Sequence, residues 1–454
     1  MSSTPQTTDV LILGAGASGL HAADILRRAG RTVRVLEARS RIGGRIETVS
    51  ADDGTALDVG GQWLSRDHVR AIGLVRRFRI PTFPQPCDGT KLLEIGGRIS
   101  RHQGDIPQLP IWSLLDLQQA ISRLERLARR IPVDSPWLAH DAHALDTRSA
   151  EDWIRNATLT DDARECLRAA VRAIHACEPR DISMLQLLWY AHGNVSFMKL
   201  ATIRDGAQDI RMTRGAISLL QPLADSLHDA VVTDAAVVAI DQDAEGVAAR
   251  LADGRSFSAR RLICSLAPPQ AADIAFAPAL PSRRIAVHQR MTMGSVIKCI
   301  ALYDRPFWRD DGLSGEVVSD DCTVQLAFDE TVPGSDHGAL VAFVNGDAAR
   351  RWTRAPAPDR RDAVLRSLAR WFGERAGHPI AFVERNWPAE PFSRGCYVAQ
   401  FGPGGWLACG DALRQPCGRI HWAGTETATV FPGYIEGALE AAERATHEVL
   451  GACA

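Results

Sequence analysis

Between Thr8 and Glu37 the chain runs through a pattern that few folds can accommodate. TDVLIL (Thr8–Leu13) is a short apolar run, the form of a buried parallel strand. Gly14, Gly16 and Gly19 follow at G-x-G-x-x-G spacing, Ser18 to Ala29 has helical periodicity closed by Gly30, and Thr32 to Leu36 is a second strand ending at Glu37. Each glycine answers a separate demand. Gly14 permits the tight turn, Gly16 lets backbone approach a pyrophosphate, and Gly19 lets helix pack on strand. The N–H groups at the helix start, Ser18 among them, then face phosphate oxygens. Glu37 stands about twenty residues downstream, where a carboxylate accepts from a ribose diol. A glycine triplet in a bare turn requires none of these flanking elements, so the whole unit specifies dinucleotide binding.

A second glycine-rich stretch comes soon after: RSRIGGR from Arg39 to Arg45, then LDVGGQW from Leu57 to Trp63. It suits a long cofactor gripped again beyond its adenosine, FAD rather than NAD. At 454 residues the chain exceeds one core, and two interwoven domains are expected. Basic residues are dispersed at net charge -2, which excludes a polyanionic partner such as nucleic acid. Lysine occurs only at 91, 199 and 298, which makes each one worth inspecting. The 10 cysteines include no C-x-x-C pair, so neither a metal site nor a disulfide framework is expected. The polar start MSSTPQTTDV is unlike a signal peptide, and no apolar run approaches the ~20 residues of a membrane span. The chain ends at GACA without a hydrophobic anchor. A soluble cytoplasmic protein with no membrane partner is the expectation.

EAR-x-R-x-GGR followed by DVGGQW resembles the flavin-containing amine oxidase superfamily, nearest its monoamine oxidase and putrescine oxidase branch. The resemblance extends from Asp9 to about Leu450 through several independent motifs. It implies an α/β fold in which a Rossmann-like FAD-binding domain (1–88, 206–290 and 395–454) is interleaved with an α+β substrate domain (89–205 and 291–394). It also implies cofactor contacts from Gly14, Gly16, Ser18, Gly19, Glu37, Arg39, Gly44, Arg45, Gly60, Gly61, Gln62 and Trp63, with backbone near Ala236–Val237 on the adenine side.

The middle of the chain reads as helices: Ile111 to Arg130, Ser149 to Asn156 and Asp161 to Ala176, then CEPRDISMLQLLWYAHG from Cys177 to Gly193. Periodicity assigns Leu185, Leu188 and Trp189 to the core. The resemblance raises Ala173, His175, Leu200, Ile203, Gln208, Leu326, Phe328 and Phe343 as pocket residues. Val231 to Ile240 reads as one strand-like run, and SLAPP at Ser265–Pro269 resembles the family's crossover between domains.

MGSVIKCIALYDRPFWR (Met293–Arg309) resembles monoamine oxidases, in which the lysine of GSVIK holds a water against flavin N5; here it is Lys298 at the end of an apolar strand. Burying a lysine is costly without partners and lowers its pKa. NWPAEPFSRGCYVAQFGPG follows from Asn386. By resemblance Trp387 covers the flavin, and Cys396 bonds to it through sulfur, although Arg394 stands where the family has glycine. HWAGTETATVFPGYIEGALEAAERA (His421–Ala445) supplies Gly424, Thr425, Glu426 and Ile435 to the cofactor, and a helix from Gly433 to His447 points its first amides at the flavin. Tyr434 matches the partner of Tyr397 in an aromatic cage, in a chain with only 4 tyrosines.

These resemblances imply an enzyme acting on CH–NH or CH–NH2 groups. Hydride passes from the α-carbon of a small amine to flavin N5, the imine hydrolyses to a carbonyl compound, and O2 becomes H2O2. The pocket candidates include no carboxylate, which favours a monoamine or an apolar cyclic amine over a polyamine. Three alternatives remain open: an L-amino-acid oxidase, an amine dehydrogenase with a protein electron acceptor, and a flavin-bound interaction protein without turnover. A homodimer is the assembly entertained.

Overall fold

Thr8–Leu13 is a strand whose last four residues are buried, as its apolar run predicts, and Ala17–Arg28 is the helix that follows the glycine turn. The computed structural model describes residues 8–320 and 323–452; the polar segment 1–7 and the terminal 453–454 lie outside them. Thr8–Leu13 pairs in parallel with Val33–Leu36 on one side and Ser256–Cys264 on the other. The sheet continues through Val247–Leu251, Val237–Gln242 and Ala275–Ala277, and is capped by Val231–Val232 at its other end. Ile420–Trp422 joins it in parallel against Leu262–Cys264. Helices Ala17–Arg28 and Ile435–Gly451 bury Leu20, Ala23, Leu439 and Ala442 in one cluster over this sheet. Residues from both ends of the sequence therefore build a single layer.

A second sheet runs, in spatial order, Ala381–Asn386, Val296–Tyr303, Gly338–Asn345, Leu326–Asp329, Leu313–Ser319, Thr90–Ile95 and Arg98–His102. Its central strands are buried on both faces. Alternation sorts them. Ile297, Cys299, Ala301 and Tyr303 pack with Val364, Leu368 and Trp371 of helix Ala357–Phe372. Val296, Ile300 and Leu302 face the opposite way, with Leu326, Phe343 and Trp387. Helices Ile111–Ala128, Asp161–His175 and Met184–Gly193 form a separate apolar cluster holding Leu185, Leu188 and Trp189. Ser149, Thr160 and Ser183 cap helix starts by accepting from backbone N–H groups. Among the described residues no helix is long and apolar enough to cross a membrane.

Three expectations need correction. The run Val231 to Ile240 is two strands, Val231–Val232 at one edge of the sheet and Val237–Gln242 next to the other edge. Asp234 takes a φ of 50°, and the N–H groups of Asp234 and Ala235 bond to the carbonyls of Arg39 and Glu37. The chain therefore leaves one ladder to line the Glu37 segment before entering another. The helix expected from Gly433 begins at Ile435, with Tyr434 as its cap, and extends to Gly451. Lys298 is the third residue of its strand, not the last.

Candidate active site

One long cavity of about 650 Å³ runs between the two sheets. All sequence-predicted site residues line it except Gly19, Glu426 and His175. Gly19 acts one layer back: a Cβ there would sit 1.9 Å from the Gly14 carbonyl oxygen, so the helix could not approach the strand. His175 is a correction to the pocket reading. It is fully buried, its ring lies 4.6 Å from that of Tyr190, and Nδ1 contacts Gln400. Burial pulls its pKa down to about 4, so it is neutral packing behind the wall.

The first end of the cavity is made chiefly of backbone. Gly16 bridges to Gly43, and Gly43 N–H donates to the Ala15 carbonyl at 2.9 Å. A Cβ on Gly43 would meet the Ile46 carbonyl at 2.3 Å. The two glycine-rich loops thus lie against one another without side chains between them. Gly16 caps Ala17–Arg28 with no side-chain bond, which leaves the first N–H groups of the helix open to the cavity. Glu37 is 3% exposed and accepts from Ala15 N at 2.8 Å and Arg39 N at 3.0 Å. Arg39 is held by Ser393 Oγ at 2.7 Å, and Val237 lines the same end. Open helix N–H groups, a side-chain-free cradle and a buried carboxylate fit a dinucleotide.

The second end combines Gly60–Trp63, Trp387, Cys396, Tyr397, Gly424, Thr425 and the start of the Ile435 helix. Trp387 is fixed by Nε1 donating to the Val59 carbonyl at 2.9 Å. Gly424 takes φ 90° and donates to Ser18 Oγ at 3.0 Å, tying this turn to the first end. Thr425 Oγ1 accepts from Gly433 N at 2.6 Å and donates to the Tyr434 carbonyl. Tyr434 again caps its helix without a side-chain bond, so a second set of open N–H groups faces the cavity. Glu426, expected at the cofactor, is instead a positioning residue. Its carboxylate takes Arg45 Nη1 at 2.6 Å and Nη2 at 3.0 Å, and Arg45 is the group that reaches the cavity. Burial would lower the pKa of Arg45, but Glu426 outweighs it and holds it above its ordinary value.

Cys396 precedes Tyr397 through a cis peptide bond. Arg394, the departure from the family glycine, takes φ 51°, a region that costs a non-glycine residue about 1–2 kcal/mol. Its guanidinium is held by Asp273 at 2.6 Å and the Pro269 carbonyl at 2.8 Å. Burial pushes the Cys396 thiol up to about 12, against the pull of nearby Arg45. Burial likewise raises the Tyr397 and Tyr434 phenols, which are neutral at physiological pH. Around them stand Phe343, Tyr190 and Gln208, whose amide donates to Tyr434 Oη at 3.3 Å. Leu200, Ile203, Leu326, Phe328 and Ala173 continue this wall.

Lys298 belongs to a buried network that the sequence did not disclose. Its Nζ donates to the Gly60 carbonyl at 3.0 Å and to Gln62 Oε1. Gln62 donates to Glu330 Oε2 at 2.8 Å, and Glu330 is paired to Arg211 at 2.6 Å; Arg211 and Glu330 are at most 1% exposed. Burial lowers the pKa of Lys298 to about 8, partly offset by Glu330 and Asp58. Tyr190 was also missed, since its helix reads as core throughout. Two carboxylates appear where the pocket candidates offered none. Glu316 and Asp105 line the cavity's far side with Lys91. Lysine scarcity was the one available pointer to that place, because Lys91 is one of only three. Lys199 lies outside the cavity, paired to Asp67 at 2.6 Å.

Over residues 17–450 the chain matches the family model described as flavin containing amine oxidoreductase. It is 36% identical over 443 residues to "Probable flavin-containing monoamine oxidase A" of Dictyostelium discoideum, covering 97% of each chain. Wild-type putrescine oxidase bound to putrescine superposes with a TM-score of 0.94 at 32% identity, over 98% of this chain and 99% of that one. Cyclohexylamine oxidase from Brevibacterium oxydans does so with 0.94 at 29% identity, over the same shares.

The buried network carries a stability prediction. Glu330→Leu leaves the Arg211 guanidinium buried and unpaired, and is expected to cost about 3–5 kcal/mol in urea unfolding of the holoprotein. Arg211→Met combined with Glu330→Leu is expected to recover much of that loss. A single variant as stable as the parent would show that the pair is not a coupled unit.

Proposed function

Because the chain belongs to the flavin-containing amine oxidoreductase family and takes FAD as its cofactor, we propose that it is an oxidase of small-molecule amines whose reacting carbon enters the slot of Tyr397 and Tyr434. The observation that carries this reading is two half-buried, neutral phenols facing a cavity whose first end fits a dinucleotide. Bound FAD supplies the acceptor for a hydride leaving the substrate α-carbon, and dioxygen takes the electrons onward as H2O2. We further propose that 1–88, 206–290 and 395–454 form the cofactor domain and 89–205 and 291–394 the substrate domain. The membership of the two sheets supports that division.

Aromatic faces attract an ammonium ion on approach. The neutral phenols then hold the amine without a fixed charge that would keep it protonated, and its lone pair can assist hydride departure. Tyr397 is held through its own carbonyl by Arg45 Nη1 at 2.9 Å, and Tyr434 through Gln208 and its helix cap. Fixing both rings aligns the reacting C–H and excludes water until the imine forms. Released imine is hydrolysed to a carbonyl compound. Lys298, with two of its donor directions taken by Gly60 and Gln62, has one left to hold a water in the cavity. Below its pKa of about 8 it also places positive charge where dioxygen acquires negative charge. Gly14, Gly16, Ser18, Glu37, Arg39 and Val237 would hold the adenosine and pyrophosphate. Gly44, Arg45, Gly60–Trp63, Trp387, Gly424, Thr425 and Ile435 would hold the ring end. Cys396 is the candidate tether to that ring.

Anaerobic mixing with a panel of primary, secondary and cyclic amines is expected to bleach the flavin absorbance. A yellow protein that no amine reduces would refute the assignment. Lys298→Met is expected to keep FAD but to slow flavin reduction or reoxidation by roughly 10²-fold. Reoxidation of the parent should fall as pH rises through about 8, and the variant should be flat there. Equal rates and equal pH profiles would remove Lys298 from the chemistry. Acid precipitation is expected to carry the yellow colour down with the protein, whereas colour left in solution excludes the Cys396 tether.

A further inference from the structure

The cavity floor is one face of the second sheet, and its register locates every side chain along it. Lys298 pairs with Phe343, Phe343 with Leu326, Leu326 with Val318, and Val318 with Leu93. All five line the cavity. Two residues along, on the same face, lie Phe328, Glu316 and Lys91, with His102 opposite Lys91. From the Lys298 strand to the Glu316 strand is three strand spacings, roughly 14 Å. The floor is thus apolar in its middle and charged at its far end.

That far end carries more acceptors than Lys91 satisfies. Lys91 Nζ sits 2.9 Å from Asp105 Oδ1 and 3.0 Å from Glu316 Oε2, so two carboxylates share one ammonium. Burial lifts the Glu316 pKa above the ordinary carboxylate value, and Lys91 only partly opposes it. His102 Nδ1 is buried without a hydrogen-bond partner among the described residues. Burial and Lys91 both hold the His102 pKa below its usual value, which keeps the ring neutral. Cys166 lines the same end. Its thiol is raised to about 12 by burial and, beyond that, by Asp162, Asp320 and Glu165. Arg98 offsets Asp162 at 2.9 Å, and Arg168 is paired to Glu165.

We propose that this cluster is a second cation subsite, in which Glu316, Asp105 and His102 receive the distal ammonium of a long amine whose reacting end lies between Tyr397 and Tyr434. An alkylammonium brings three donors and no acceptor, which matches two carboxylates and one unpaired imidazole nitrogen. A carboxylate on the substrate would meet two of its own kind, with Lys91 already engaged. Short diamines cannot span three strands, so selectivity appears only with length. The proposal rests on the amine-oxidising reading above and adds to it the identity of the second substrate group.

The test compares kcat/KM of the holoenzyme for n-alkylamines, α,ω-alkanediamines and ω-amino acids of matched length, across a series from short to long. Long diamines are expected to exceed the matching monoamines by about ten-fold at low salt, with no gain for short ones. Glu316→Gln should bring that ratio toward unity. Asp105→Asn, at an exposed side chain, should lower it in the same direction without a burden on folding. A ratio near unity at all lengths, a ratio unmoved in both variants, or a preference for ω-amino acids would each overturn the subsite while leaving amine oxidation intact. Failure of every amine to reduce the flavin would instead overturn the functional reading and this proposal with it.

Discussion

The ion pair between Arg45 and Glu426 joins positions 381 residues apart, and the ring end of the cavity is assembled on it. Arg45 comes from the second glycine-rich loop and also donates to the Tyr397 carbonyl. Glu426 comes from the turn after Ile420–Trp422 and accepts from Ala399 N at 3.1 Å. Three separate stretches are thus held in one geometry by one bidentate contact. The Glu426 side chain is wholly buried, so loss of Arg45 would strand a carboxylate in a low-dielectric site. A hydrophobic contact could hold these segments together, but it would not fix their relative rotation as a planar fork does.

The two ends of the cavity are built by different means, and this decided what could be read from sequence. The dinucleotide end relies on glycines that let backbones touch, as where Gly43 meets Ile46. Missing side chains at fixed spacing leave a clear signature. The slot was legible because tyrosine is rare and two of four stand at motif positions. The far end was not, because Glu316, Lys91 and His102 lie on three strands whose adjacency is a matter of sheet register. Nothing in the spacing of residues 91, 102 and 316 announces that they meet. The Arg211–Glu330–Gln62–Lys298 chain was hidden for the same reason.

Other departures have local causes. The Val231 to Ile240 run reads as one strand because β-propensity is blind to a detour made for backbone hydrogen bonding at Asp234 and Ala235. His175 is a pocket position only by the family resemblance; its helix neighbours Ala173 and Ile174 do line the cavity. Helical rotation turns it behind Tyr190. Glu426 sits in a motif that touches the cofactor site, and motif membership could not distinguish a contact from the group that supports one. Arg394 shows the reverse. Its left-handed backbone explains why glycine suits that position, and its ion pair with Asp273 helps to hold an arginine there.

Ile420–Trp422 pairs with Leu262–Cys264, and the Ile435 helix packs on Ala17–Arg28, so the nucleotide layer is shared between distant parts of the chain. During synthesis the glycine cradle leaves the ribosome several hundred residues ahead of the turn and helix that complete the ring end. Until then the apolar face of Ala17–Arg28 lacks its cover, and Glu37 has no finished site around it. A growing chain of this kind therefore carries a half-made nucleotide site until the Ile435 helix has emerged, and capture of the prosthetic group waits on that helix.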